Sequence, residues 1–299
     1  MKRLLILAAA AIALLAGCSQ YKYETVAGDP METKMYTLDN GLKVYMTVNK
    51  ETPRIQTYIA VKVGGKNDPS ETTGLAHYFE HLMFKGTEQF GTADYAAEKP
   101  LLDQIEALFE VYRVTEDEAE RAELYRQIDS ISYLASDIFI PNEYDKLMSV
   151  IGAEGTNAYT STDMTVYVED IPSNQIENWA RVEADRFMNP VLRGFHTELE
   201  TVYEEKNMSL TNDFRKALET LDGMLFPDHP YGTQTVLGTQ EHLKNPSITN
   251  IKNYQKTYYV PNNMAICLSG DFDPDQMLSI IEKYFGQMEP NKELPEVDF

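Results

Sequence analysis

Residues 74–87, GLAHYFEHLMFKGT, constrain this chain more than any other stretch, because they set His77, Glu80 and His81 within little more than one helical turn. Residues four apart on a helix are stacked neighbours, about 6 Å apart along the axis, so the two imidazoles share a face and Glu80 leans toward the same point. Two neutral imidazoles suit a Zn²⁺ ion, and a carboxylate beside the ion can take a proton from water that the metal has acidified. The H-x-x-E-H order inverts the more familiar H-E-x-x-H and serves the same hydrolytic chemistry. Leu75, Tyr78, Phe79, Leu82, Met83 and Phe84 flank the pair and predict a helix buried on its other side.

A hydrolytic site of this kind needs a third protein ligand and one open position. Helical spacing recurs over residues 174–187, where Trp179 reads as core, and over residues 195–221. The second run carries Glu198, Glu200, Glu204 and Glu205, any of which is a candidate on residue type alone.

The surroundings read as a mixture of strands and helices. Residues 35–48 alternate around Asp39-Asn40-Gly41, a hairpin signal, and residues 54–63 alternate again before Gly64-Gly65. Gly86 is placed to end the metal helix, while Gly74 and the Thr72-Thr73 pair mark its start. Residues 96–147 change character. Leu101, Leu102, Ile105, Leu108, Phe109 and Tyr112 fall at helical spacing, Thr115 with Glu118 predicts a capping box for a second helix, and Pro141-Asn142-Glu143 predicts the start of a third. Residues 155–161 and 165–168 predict two strands about a turn at Thr162-Asp163. The chain closes with a helix over 248–260, a turn at Pro261-Asn262-Asn263, a strand over 264–268 and a helix over 274–285.

At 299 residues the chain can bury a substantial core. Its net charge of −21 argues against nucleic acid as a partner, since no cluster of Lys and Arg exists to neutralise phosphates. Met1-Lys2-Arg3 followed by the apolar residues 4–15 predicts an export signal over residues 1–17, too short to span a membrane comfortably. Leu15-Ala16-Gly17-Cys18 resembles a bacterial lipoprotein cleavage box, which implies a mature chain lipidated at Cys18 and membrane-anchored on the periplasmic side or the cell surface. Only Cys267 would then remain, so no internal disulfide is expected. Residues 18–34 read as a tether and residues 289–299 as a linker-like tail.

From about residue 37 to residue 286, with an interruption at the helical run 96–147, the sequence resembles the insulinase or pitrilysin family of zinc peptidases, most clearly in G-L-A-H-Y-F-E-H-L-M-F-K-G-T. The resemblance implies an α+β fold: a mostly antiparallel sheet with helices packed on one face, forming one peptidase half over residues 35–288 with a helical insertion at about 96–147. In that family a helix carries two glutamates seven apart, the later on zinc and the earlier supporting the site. Glu198 and Glu205 meet this spacing and share a face with Val202 between them, whereas Thr197 stands seven before Glu204. The implied set is His77, His81 and Glu205 on zinc, with Glu80 as catalytic base and Glu198 as its support. The N-A-x-T-S strand of the family takes an extended peptide as an added strand, which assigns substrate binding to Asn157 and Ala158. His229, in the loop that follows, reads as structural.

The expected activity is zinc-dependent endopeptidase action on extended peptides or unfolded protein segments. The alternatives are a non-catalytic or partner-dependent subunit that binds peptides, and a metal-dependent hydrolase of another substrate. Family enzymes close two similar halves over the substrate, and the resemblance here extends over one. A homologous second half or subunit is therefore the expected partner.

Overall fold

The computed structural model describes residues 21–295; the stretch read as an export signal and Cys18 lie outside the described residues. Six strands, β1 (Lys34–Thr37), β2 (Lys43–Val48), β3 (Arg54–Val61), β4 (Glu154–Thr160), β5 (Thr165–Pro172) and β6 (Met264–Gly270), form one sheet in the order β1-β2-β6-β3-β5-β4. The fold is α+β, and β2 with β6 is the parallel pair in an otherwise antiparallel sheet. Nine helices of eight residues or more are described: α1 (Leu75–Leu82), α2 (Tyr95–Tyr112), α3 (Glu118–Ser136), α4 (Glu143–Val150), α5 (Ile176–Met188), α6 (Phe195–Ser209), α7 (Asp213–Leu225), α8 (Ile248–Tyr258) and α9 (Pro274–Phe285).

The first hairpin forms where Asp39-Asn40-Gly41 predicts it. Gly41 takes φ +87°, and a Cβ there would come within 2.9 Å of Asn262. Asn40 donates to the Phe285 and Met288 carbonyls, which ties the turn to the end of α9. Alternation along β3 then sets the faces of the sheet: Ile55, Thr57, Ile59 and Val61 point inward and Tyr58 outward. Phe79 from α1, Trp179 from α5 and Ile281 with Phe285 from α9 pack into the same core, each wholly buried.

Beneath the site, Arg186 of α5 is buried against Phe84, Tyr144 and Tyr167 and pairs with Glu183, while the Tyr144 hydroxyl donates to both Glu169 and Glu183. Tyr144 comes from α4, so the third helix of the charged run is built into the core. Its first helix is held as firmly. Arg193 bonds both oxygens of Glu98 at 2.8 Å, and Phe109 packs on Phe195 at 4.9 Å between ring centres.

Three local expectations are corrected. Asp117, not Thr115, caps α3 by accepting from the Glu120 N–H; Thr115 instead donates back to the Val111 carbonyl in the last turn of α2. The run 195–221 is two helices, because the Asn212 side chain accepts from the Arg215 N–H and begins α7 afresh. The stretch read as a tether is fastened from Tyr21 onward: the Tyr21 hydroxyl donates to Glu282, and Glu24 pairs with Met35.

Candidate metal centre

The start of α1 is fixed from outside the helix. Gly74, at φ +87°, offers no side chain to cap it, and the buried Asp68 carboxylate accepts the N–H groups of Gly74, Leu75 and Ala76 at 2.7, 3.1 and 2.9 Å. Burial pushes the Asp68 carboxyl up to about 8, against these three bonds, and one carboxyl satisfies three of the free donors of the helix N-terminus. Replacing Asp68 by alanine should therefore cost roughly 2–3 kcal/mol. It would read as a lower urea midpoint with an unchanged slope.

Helix α6 meets α1 through its first turn. The Tyr78 hydroxyl donates to the Phe195 carbonyl, and the two rings pack at a tilt of 51° with centres 4.9 Å apart. Val202 is wholly buried, so the face of α6 that carries Glu198 and Glu205 is turned toward α1. Glu200 and Glu204 are exposed on the other side.

The structure brings His77, His81 and Glu205 together. His77 Nε2 and His81 Nε2 stand 3.2 Å apart, and Glu205 Oε2 lies 3.5 Å from the first and 3.7 Å from the second. Ligand atoms on one tetrahedral zinc sit about 3.3 Å from each other, so these separations fit a shared ion. Glu198 Oε1 lies 2.7 Å from His81 Nδ1, so it can hold the Nδ1–H of the neutral ring and leave Nε2 free to face His77 when a cation is bound. Burial, with the charges of His81 and Arg215, pushes His77 down to about 4, so its ring is neutral near pH 7. With both rings neutral, their Nε2 atoms and a carboxylate oxygen make a donor set that a cation completes.

Glu198 also pairs with Lys85, from the Phe84-Lys85-Gly86 end of the motif. Burial alone would raise the Glu198 carboxyl, but the bonds from His81 and Lys85 hold it down at about 2. Glu80 lies beside the ligands and is buried; burial raises it above the ordinary carboxylate range, while the Thr160 hydroxyl donates to its Oε2 and opposes the rise.

A cleft of about 850 Å³ opens over these residues. One wall is β4, at the edge of the sheet, where Asn157 and Ala158 lie as expected. The Asn157 carboxamide accepts the Ala158 N–H at 2.9 Å. The opposite wall is α7, which contributes Arg215 and Leu218. His229 lies outside the cluster and accepts from the Tyr231 N–H. Asp68, Lys85, Thr160 and Arg215 are absent from the sequence reading; of these, only Lys85 and Thr160 stood inside motifs that drew attention.

The profile of the family described as Insulinase (Peptidase family M16) matches residues 43–101, which include His77, Glu80 and His81, and that described as Peptidase M16 inactive domain matches residues 247–298. The chain belongs to the insulinase family. It is 24% identical over 279 residues to the insulin-degrading enzyme of Mus musculus, covering 91% of this chain and 22% of that protein. To the probable mitochondrial-processing peptidase subunit beta of Schizosaccharomyces pombe it is 24% identical, covering 88% of this chain and 47% of that one. A protease from Helicobacter pylori has the same fold, with a TM-score of 0.64 at 21% identity over 92% of this chain and 53% of the other. This insulinase-family chain thus spans about half the length of these relatives, or less.

Proposed function

We propose that this chain is the metal-bearing half of a zinc-dependent endopeptidase that cuts extended peptides or unfolded protein segments. The observation that carries this reading is the convergence of His77, His81 and Glu205 beside the buried Glu80, at the foot of an open sheet edge. An edge strand holds any extended peptide through its backbone, so affinity need not depend on every side chain.

When bound, zinc acidifies water and polarises a peptide carbonyl. Glu80 takes a proton from water on Oε1, since Oε2 is engaged by Thr160, and then gives it to the leaving amine. Its burial suits it to the task, because a carboxyl raised above its ordinary range is a stronger base. Glu198 holds the His81 ring at Nδ1 and is held in turn by Lys85. The edge of β4 aligns the peptide along the cleft, with the Asn157 carboxamide giving up the Ala158 N–H as the added strand forms.

The same reading includes a homologous second half, as the rest of one polypeptide or as a separate subunit. Supporting it, α7 has no buried residue, and Phe214 and Met224 are 73% and 75% exposed beside the cleft. Attachment to a membrane through Cys18 rests on residues 15–18 alone. Among the described residues no helix is long and apolar enough to cross a membrane.

Glu80→Gln tests the mechanism. The variant should keep one zinc per chain and lose at least about 10²-fold in turnover of a quenched peptide, as removal of a general base generally does. Comparable turnover would mean that another group activates the water.

A further inference from the structure

We propose that Arg215 selects peptides that carry a carboxylate at one position along the cleft; this deepens the peptidase reading and rests on it. Among the described residues, the Arg215 guanidinium makes no hydrogen bond or ion pair, although it lines a cleft rich in carboxylates. The reason lies in what those carboxylates already hold. Glu219, four residues on along the same face of α7, is the natural partner for Arg215, but it faces the buried Lys206 at 3.7 Å. Glu198 is taken by His81 and Lys85, and Glu80 and Glu205 face the metal centre. Asp222 stands seven residues along α7, about 10 Å from Arg215 along the axis.

A peptide added to β4 would present alternate side chains toward α7. One of them meets a cation with no partner, and Leu218, three residues on from Arg215, offers an apolar wall for the alkyl part of an Asp or Glu side chain. Elsewhere in the cleft the same carboxylate would face Asp145 or Asp222 and be repelled. The preference is therefore tied to one position and does not extend to acidic peptides in general. An α-carboxylate at the end of a short peptide has the same chemistry, and the test separates it from a side chain.

The test uses the full chain carrying Glu80→Gln, so that binding is read without turnover. Fluorescein-labelled peptides of one extended sequence carry a single Glu or Gln scanned along their length, and each is made with a free or an amidated C-terminus. One Glu position should bind at least about fivefold more tightly than Gln, the scale of a single partly exposed ion pair. Arg215→Gln should abolish that difference, and Arg215→Glu should transfer it to Lys at the same position. If the free and amidated ends differ instead, and Arg215→Gln removes that difference, the group recognised is the terminal carboxylate. Because Arg215 is exposed, these substitutions leave the fold intact. An unchanged preference in Arg215→Gln overturns the proposal. Cleavage by the chain that retains Glu80 is scored separately. Arg215-dependent binding with no cleavage even when the chain is joined by its proposed second half sinks the peptidase reading and leaves Arg215 standing, whereas cleavage indifferent to the carboxylate sinks Arg215 alone.

Discussion

Replacing His81 by alanine is expected to leave the purified chain without stoichiometric zinc and without measurable peptide cleavage. The expectation follows from the geometry on both sides of the ring. Nε2 is one corner of the triangle formed with His77 Nε2 and Glu205 Oε2, and Nδ1 is the point at which Glu198 and, behind it, Lys85 hold the site. Loss of the ring removes a ligand and leaves Glu198 with Lys85 alone. The comparison that gives the result meaning is Glu198→Gln, which keeps all three ligands and should weaken metal affinity by only about 10–100-fold, the usual cost of a supporting hydrogen bond. Metal content after dialysis against a graded chelator reads both variants without reference to activity. Parent-like zinc in His81→Ala would remove the metal assignment, and with it the reason for placing Glu80 as base.

The candidate metal centre was largely legible in the sequence because its parts are local. His77, Glu80 and His81 share one short helix, where helical period sets them on one face; Glu198 and Glu205 share another, but it took the family resemblance, with its two glutamates seven apart, to choose them among four. The hairpin at Asp39-Asn40-Gly41 was legible for the same reason. The groups that steady the site come from farther away. Thr160 meets Glu80 across 80 residues of sequence, and Lys85 meets Glu198 across more than a hundred, so neither pairing has a period to betray it. Asp68 caps α1 from a loop six residues before Gly74, outside the spacing at which a cap is normally sought. The errors were choices between close competitors. Thr115 and Asp117 each stand three residues before a glutamate, and the chain uses the second while α2 keeps Thr115 in its own last turn. Asn212 interrupts a run whose apolar spacing continues across it, and the interruption matters for the site: it lets α7 turn and stand as the far wall of the cleft, with Arg215 facing in.

The isolated chain, loaded with zinc and shown to be monomeric by light scattering, is expected to cleave peptides on the order of 10³-fold more slowly than the same chain joined by its second half. The cleft has two walls, β4 and α7, and is open above them. The carbonyl oxygen of a peptide on β4 gains negative charge as the bond breaks, and the two donors nearest the metal cluster are already engaged. Lys85 is committed to Glu198, and Thr160 to Glu80. Each missing donor of that kind costs about 10²–10³ in rate, and a half-open cleft also leaves water around every charge that the site depends on. The exposed apolar row of α7, with Phe214, Leu221 and Met224, offers a surface that such a half can cover. Its loss should therefore be felt in binding as well as in rate. Adding the proposed second half, in cis or as a separate subunit, should raise kcat and lower KM together, and Phe214→Asp with Met224→Asp should weaken that association while zinc content stays unchanged. Turnover by the monomer equal to that of the paired form would show that one half is sufficient.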